Sequence, residues 1–132
     1  MNEITAIDHV GIRVFNLDLA RAFYEKLGFI FITGPVGPEP VAIMRHPCGI
    51  VINFILNAVE SPRKNILMDI DEKHAGYTHI ALHVTDLNAI QSTLNTLDIV
   101  ITEGPIHFGE NFGSSLFIRD QDNNVIEFHQ NA

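Results

Sequence analysis

The sequence has one cysteine, few basic residues and no long hydrophobic run, and each shortage excludes a class of protein. Cys48 alone cannot form an internal disulfide. Eight basic against sixteen acidic residues give a net charge of -8, which argues against nucleic acid and anionic membranes as partners. No segment approaches membrane-spanning length, and the first residues, Met1-Asn2-Glu3-Ile4, lack the features of a signal peptide. We therefore expect a cytoplasmic protein with neither nucleic acid nor membrane as a partner.

The main feature that is present is an internal repeat. A shift of 70 residues aligns Asp8-His9-Val10 with Thr78-His79-Ile80. A shift of 74 residues aligns Val51-Ile52-Asn53-Phe54 with Val125-Ile126-Glu127-Phe128. The repeat thus pairs His9 with His79 and Asn53 with Glu127. The change in shift implies about four extra residues in the second copy, within the glycine-rich stretch 104–115.

Each copy has the pattern of one strand, one amphipathic helix and about three further strands. This pattern predicts an α+β fold of two tandem βαβββ modules. The length of 132 residues fits one domain, residues 1–132. We place the first module at 4–57, a polar linker at 58–76 and the second module at 77–131.

The two helices have their own start and stop signals. Helix one is predicted over residues 17–27, with Asn16 or Asp18 as its N-cap and Gly28 just past its end. In the second module, Asp86 is the predicted N-cap of a helix with an apolar stripe. Both helices are interpreted as structural elements that cover the sheets.

Three residues form a candidate metal site. A single strand histidine is more often a hydrogen-bonded polar residue than a ligand. Two histidines at equivalent repeat positions, His9 and His79, together with Glu127, instead indicate ligands that converge on one ion. An unpaired carboxylate between Ile126 and Phe128 would be costly to bury, and a bound cation removes that cost. Two imidazoles and a carboxylate suit one divalent ion of Fe, Mn, Ni, Co or Zn and leave coordination positions open.

These motifs, together with Phe23-Tyr24-Glu25-Lys26-Leu27-Gly28-Phe29 at the end of helix one, resemble the vicinal oxygen chelate superfamily. That superfamily includes glyoxalase I, methylmalonyl-CoA epimerase, fosfomycin resistance proteins, extradiol dioxygenases and bleomycin resistance proteins. The resemblance implies a glyoxalase-like fold whose paired modules form a metal-binding cleft. It also implies a homodimer with exchanged modules, in which His9 comes from one chain and His79 with Glu127 from the other.

The resemblance also identifies candidate substrate-binding residues. Arg13 and Asn57 match positions that contact glutathione in glyoxalase I, although a surface salt bridge and a turn would explain them equally well. Asn53, which we assign with them to substrate binding, matches a second metal-binding glutamate of glyoxalase I. Asparagine carries no charge, so three ligands remain where glyoxalase I has four. The substrate implied is a small molecule, either anionic or a thiol conjugate.

The leading hypothesis is a metal-dependent, glyoxalase-like lyase or isomerase that stabilises an enediolate-type intermediate on the metal. Glu127 is its candidate catalytic residue, since a carboxylate beside a polarised carbonyl can move a proton. An Fe(II)-dependent dioxygenase is one alternative, because the same three ligands leave room for substrate and O2. A non-catalytic binding protein of the bleomycin resistance kind is another, and the acidic charge suits a cationic drug. The fold alone does not choose among these reactions.

Overall fold

The computed structural model describes residues 1–60 and 64–132. The chain divides between residues 62 and 63 into two compact units. In the first unit the described elements are β1 (Val10–Arg13), α1 (Leu17–Lys26), β2 (Ile30–Val36), β3 (Val41–Arg45) and β4 (Val51–Ile55). In the second unit they are β5 (His79–His83), α2 (Leu87–Thr96), β6 (Ile101–His107), β7 (Ser114–Arg119) and β8 (Val125–Gln130).

The two units have the same sheet topology. The strand order is β1-β4-β3-β2 in the first sheet and β5-β8-β7-β6 in the second. In each sheet the first and last strands of the module are parallel and the other neighbours are antiparallel. Val10 pairs with Ile52 and Ile80 with Ile126, so residues aligned by the repeat occupy the same register. The predicted fold of two tandem βαβββ modules is confirmed.

Both helices begin at an N-cap that the sequence signals. The Asn16 side chain accepts a hydrogen bond from the backbone N–H of Leu19, and the Asp86 side chain accepts one from Ala89, each at 3.0 Å. Asp18, the other candidate cap, instead lies in the first turn of α1. Neither helix within residues 1–60 and 64–132 is long and apolar enough to cross a membrane.

The hydrophobic face of each sheet packs against its own helix. Tyr24 of α1 contacts Phe29 and Phe54, with ring centroids 5.8 and 5.1 Å apart. Burying a large apolar side chain stabilises the fold by about 1.5–3 kcal/mol. Aligned repeat positions are buried in both units, in the pairs Tyr24 and Leu94, Ala42 and Leu116, Met44 and Ile118, Ile52 and Ile126, and Phe54 and Phe128.

Glycine is required where the second strand of each module is irregular. Gly34 and Gly104 lie at matching breaks in the β2–β3 and β6–β7 registers and have φ values of 123° and 89°. A Cβ on Gly34 would lie 2.5 Å from the Ala42 Cα, and one on Gly104 would lie 2.7 Å from the Ser115 carbonyl oxygen. The four extra residues of the second copy follow Gly104, before Ser115, as the repeat predicts.

Part of the predicted linker is attached to the second sheet, while its residues 61–63 lie outside the described residues. The Arg119 guanidinium donates hydrogen bonds of 2.9 and 2.8 Å to the two carboxylate oxygens of Asp69. The Asn65 side chain donates a further bond of 3.1 Å to the Asn123 carbonyl. The bonds from Arg119 are the main reason why the pKa of Asp69 falls to about 2.

Candidate functional site

The second sheet has a polar face opposite the one that packs on α2. Glu127 on β8 pairs with Ala81 on β5 and with Phe117 on β7, so these residues share a face. The period of two then puts further polar side chains on the same face, among them His79, His83, Ser115 and His129. Two of the three predicted metal ligands are therefore neighbours on one surface.

His79 and Glu127 are in direct contact. The Nε2 atom of His79 lies 3.0 Å from the Oε2 atom of Glu127, and 37% of the His79 side chain is exposed, against 12% for Glu127. The Phe117 ring meets the His79 ring at its edge, with centroids 6.2 Å apart. Since two lone pairs would repel each other at this distance, a proton on Nε2 or a cation bound to both atoms must accompany the contact.

The other oxygen of Glu127 has a different partner. The Ser115 hydroxyl donates a hydrogen bond to Oε1, and the Ser115 side chain is fully buried. The Nδ1 atom of His129 lies 2.7 Å from the same hydroxyl oxygen. Because a hydroxyl has one hydrogen, and Ser115 gives it to Glu127, the His129 N–H must be the donor to Ser115. Sequence reasoning treated Glu127 as an unpaired carboxylate, whereas the fold provides it with two partners.

Both predicted histidine ligands have the same local arrangement. In the second unit the Nδ1 atom of His79 lies 2.9 Å from the Thr78 hydroxyl oxygen. In the first unit the Nδ1 atom of His9 lies 2.7 Å from a carboxylate oxygen of Asp8. Histidines that bind metals usually have the second ring nitrogen held in this way by a neighbouring oxygen. The nitrogen that remains for a ligand is Nε2 in each case.

The residues present fit the divalent metal that the sequence implies. Imidazole nitrogen and carboxylate oxygen are donors that transition metals accept. Two ligand atoms at about 2.1 Å from one ion and at right angles to each other are about 3.0 Å apart, which matches the contact between His79 and Glu127. Within residues 1–60 and 64–132, no three or more His, Cys, Asp or Glu side chains are grouped so that they could hold a metal. The full set with His9 therefore stays a prediction.

The first unit brings together two of the three predicted substrate-binding residues, Arg13 and Asn57. The Arg13 Nε–H donates to the Asn57 side-chain oxygen at 2.8 Å. The Asn57 amide donates to a Glu39 carboxylate oxygen at 3.0 Å, and an Arg13 Nη atom lies 3.5 Å from the same oxygen. The side chains of Arg13 and Glu39 are 61% and 54% exposed, so water weakens their attraction. The cluster presents both a cation and an anion to a ligand.

Glu39 is a residue that sequence reasoning missed. It lies in the turn between β2 and β3, 26 residues after Arg13 and 18 before Asn57. No local spacing or repeat partner connects residues that far apart, although an acidic residue between Pro38 and Pro40 was a visible signal. The missed contact reduces the net positive charge that Arg13 can offer to an anionic substrate.

Asn53 occupies in the first sheet the position that Glu127 occupies in the second. It pairs with Gly11 and Ile43, as Glu127 pairs with Ala81 and Phe117. Among the described residues, the buried side-chain oxygen of Asn53 has no hydrogen-bond partner from the protein. It is therefore an available acceptor, although not a charged one.

The family follows from the sequence as a whole. The model of the Glyoxalase/Bleomycin resistance protein/Dioxygenase superfamily matches residues 6–128. The chain belongs to this superfamily. Its members include metal-dependent enzymes, some of which bind a divalent metal. A comparison with curated proteins gives no match.

Several solved structures share the fold. A glyoxalase/dioxygenase from Nostoc punctiforme has 18% identity and a TM-score of 0.75, with 99% of this chain and 94% of that chain covered. The antibiotic binding protein TnmS3 from Streptomyces sp. CB03234 has 17% identity and a TM-score of 0.72, with 98% of each chain covered.

A third similar structure contains a metal. It is a variant of the fosfomycin resistance protein FosX from Listeria monocytogenes, in complex with Mn(II) and 1S,2S-dihydroxypropylphosphonic acid. It has 16% identity and a TM-score of 0.73, with 98% of this chain and 94% of that chain covered. At such identities these likenesses show the fold and do not transfer a substrate.

Proposed function

We propose that the chain is a metal-dependent, glyoxalase-like lyase or isomerase with His9, His79 and Glu127 as its metal ligands. The observation that carries the proposal is the contact of 3.0 Å between His79 Nε2 and Glu127 Oε2 on the polar face of the second sheet. Both atoms belong to groups that bind transition metals, and their separation matches that of two ligand atoms at right angles on one ion. The matching arrangement of His9 with Asp8 supports a third ligand.

In this proposal each residue has a defined task. A bound divalent ion would supply Lewis acidity toward the negative charge that develops on a substrate carbonyl oxygen. With Oε2 released from its ligand position, Glu127 would accept the proton from the carbon beside that carbonyl and return it to a neighbouring position. Thr78 keeps the His79 ring oriented through Nδ1.

The cluster of Arg13, Asn57 and Glu39, here called the Arg13 cluster, supports a substrate that is either anionic or a thiol conjugate. A guanidinium beside an amide and a carboxylate can bind a carboxylate group and a neighbouring ammonium or amide N–H together. A thiol conjugate that contains both groups would fit this cluster, and a compact anion would use Arg13 alone. The Asn53 side-chain oxygen offers one further acceptor.

The test is proton exchange at the substrate carbon. We would incubate the Mn(II)-loaded protein with the hemithioacetal of methylglyoxal and glutathione in D2O and follow deuterium incorporation by NMR. Glu127→Gln should slow exchange by about 100-fold or more, since general base catalysis contributes about that much. Glu25→Gln, the same change on helix α1, should leave exchange unchanged. Exchange in Glu127→Gln at the wild-type rate would exclude Glu127 as the base.

An Fe(II)-dependent dioxygenase is a second candidate, because two histidines and a carboxylate also suit non-haem iron. Oxygen consumption by the Fe(II)-loaded protein with a catechol, in the absence of deuterium exchange, would favour it. The net charge of -8 favours a third candidate, a non-catalytic protein that binds a cationic drug. Tight binding of bleomycin by protein that takes up no metal would support this candidate and contradict both enzymes.

A further inference from the structure

The hydrogen bonds around Glu127 assign a role to a residue outside the predicted ligand set. Ser115 is fully buried on β7, and its hydroxyl donates to Oε1 of Glu127. The opposite oxygen, Oε2, is the one beside His79. One carboxylate oxygen is therefore held inside the fold while the other is directed toward the nitrogen of the neighbouring predicted ligand.

The first module shows that the fold itself does not require a serine at the strand position of Ser115. Ser115 pairs with His129 in the second sheet, and the equivalent pair in the first sheet is Val41 with Ile55. The same strand position thus accepts an apolar residue in an otherwise equivalent sheet. The polar pair is present in the module with Glu127 and replaced by an apolar pair in the module with Asn53.

We propose that Ser115 is a positioning residue that, oriented by His129, holds Oε1 of Glu127 so that Oε2 alone is presented to the metal. This inference rests on the proposed metal site. His129 supports it by donating its Nδ1–H to Ser115 at 2.7 Å, which leaves the Ser115 hydrogen for Glu127. Losing the hydroxyl frees Oε1, so the carboxylate can rotate or bind the ion through both oxygens.

The test uses a pair of variants that differ only in the hydroxyl. Ser115→Thr and Ser115→Val add the same volume, but only threonine keeps the donor. We expect Ser115→Thr to bind Mn(II) like the wild type and Ser115→Val to bind it about 10- to 100-fold more weakly, as measured by electron paramagnetic resonance of free Mn(II). The absorption spectrum of the Co(II)-substituted protein should also change in Ser115→Val, because it reports how many ligand atoms surround the ion.

Three further variants keep the test decisive. Ser115→Ala adds no volume, so it replaces Ser115→Val if that variant does not fold. His129→Asn retains an N–H near the Nδ1 position and His129→Leu does not, so only His129→Leu should weaken Mn(II) binding. Equal Mn(II) affinity or an unchanged Co(II) spectrum in folded Ser115→Val or Ser115→Ala would overturn the role of Ser115 alone. A wild-type protein that binds neither ion would overturn the metal site together with this inference.

Discussion

At the scale of single residues, the two modules differ in which polar side chains they carry at equivalent positions. Asn53 and Glu127 have the same strand register, yet only Glu127 has hydrogen-bond partners on both sides. At Glu127 an imidazole and a hydroxyl replace the water that burial removes from the carboxylate. The two modules therefore differ at this position, where the second carries a hydrogen-bonded carboxylate and the first an uncharged amide.

Substitutions of Arg13 and Glu39 test whether the first unit binds the negatively charged group of a ligand. Arg13→Gln should weaken binding of S-methylglutathione about 10-fold, since a charge-assisted hydrogen bond contributes about 1.5–3 kcal/mol. Glu39→Gln should not weaken the binding of a ligand that contacts Arg13 only through a carboxylate, because the change removes the Glu39 carboxylate that competes with the ligand for Arg13. Isothermal titration calorimetry measures both effects. Unchanged affinity in Arg13→Gln would exclude Arg13 from the binding site.

At the scale of elements, each module has one helix that packs on its sheet, and a capping side chain stabilises the first turn of that helix. The sequence left Asn16 and Asp18 open as caps of α1, and the structure selects Asn16 because its backbone is extended while Asp18 lies inside the helix. Asp86 has the equivalent role in α2. The two caps satisfy backbone N–H groups that the first helical turn leaves free.

The caps provide a matched stability test. Asn16→Ala and Asp86→Ala should each lower the free energy of unfolding by about 1 kcal/mol. Asp18→Ala should cost less, because Asp18 contributes only through the helix dipole. Urea denaturation followed by circular dichroism measures the differences. A larger loss in Asp18→Ala than in Asn16→Ala would contradict the capping geometry.

The ion pair between Asp69 and Arg119 connects two parts of the second unit, because Asp69 lies in the segment that precedes β5 and Arg119 lies on β7. This pair predicts that the stability of the fold depends on pH. The pKa of Asp69 is lowered to about 2 in the folded protein from an ordinary value of 3.8. Its contribution is therefore fully present above about pH 4 and is lost as the pH falls toward 2. Asp69→Asn should be less stable than wild type at pH 6, and the difference in urea midpoint should shrink toward pH 2.

A variant in the same segment serves as the control for Asp69. Asp71→Asn removes the same charge, and Asp71 has no ion pair within residues 1–60 and 64–132. Its urea midpoint should follow that of the wild type across this pH range. A pH-independent difference between Asp69→Asn and wild type would show that the ion pair does not stabilise the fold.

At the scale of the whole molecule, the proposed metal site combines ligands from both units. The superfamily resemblance implies a homodimer with exchanged modules, in which His9 and Glu127 of one site come from different chains. Mixing chains that carry His9→Ala with chains that carry Glu127→Ala tests this arrangement. A heterodimer would contain one site with both changes and one intact site.

The expected result of mixing is quantitative. Each variant alone should bind little Mn(II). Equal amounts unfolded and refolded together should recover about a quarter of the wild-type binding, because about half of the dimers are mixed and each has one intact site of two. No recovery would place all three ligands of a site in one chain.

The sequence by itself determined the architecture. The repeat of strand and helix periods at shifts of 70 and 74 residues is a local pattern, and backbone geometry converts such a pattern into secondary structure without distant information. The pairs His9 with His79 and Asn53 with Glu127 followed from the same alignment. The polar face that holds His79 and Glu127 followed from the two-residue period of a strand.

Only the tertiary structure decided which polar atoms meet. The bonds from Ser115 to Glu127, from Asn57 to Glu39 and from Arg119 to Asp69 join residues 12, 18 and 50 positions apart. A local pattern cannot specify such contacts, because they depend on strand register and on side-chain rotamers selected by packing. The fold could therefore be predicted from the sequence, whereas the hydrogen-bond partners of the candidate ligands were decided by the pairing of the strands.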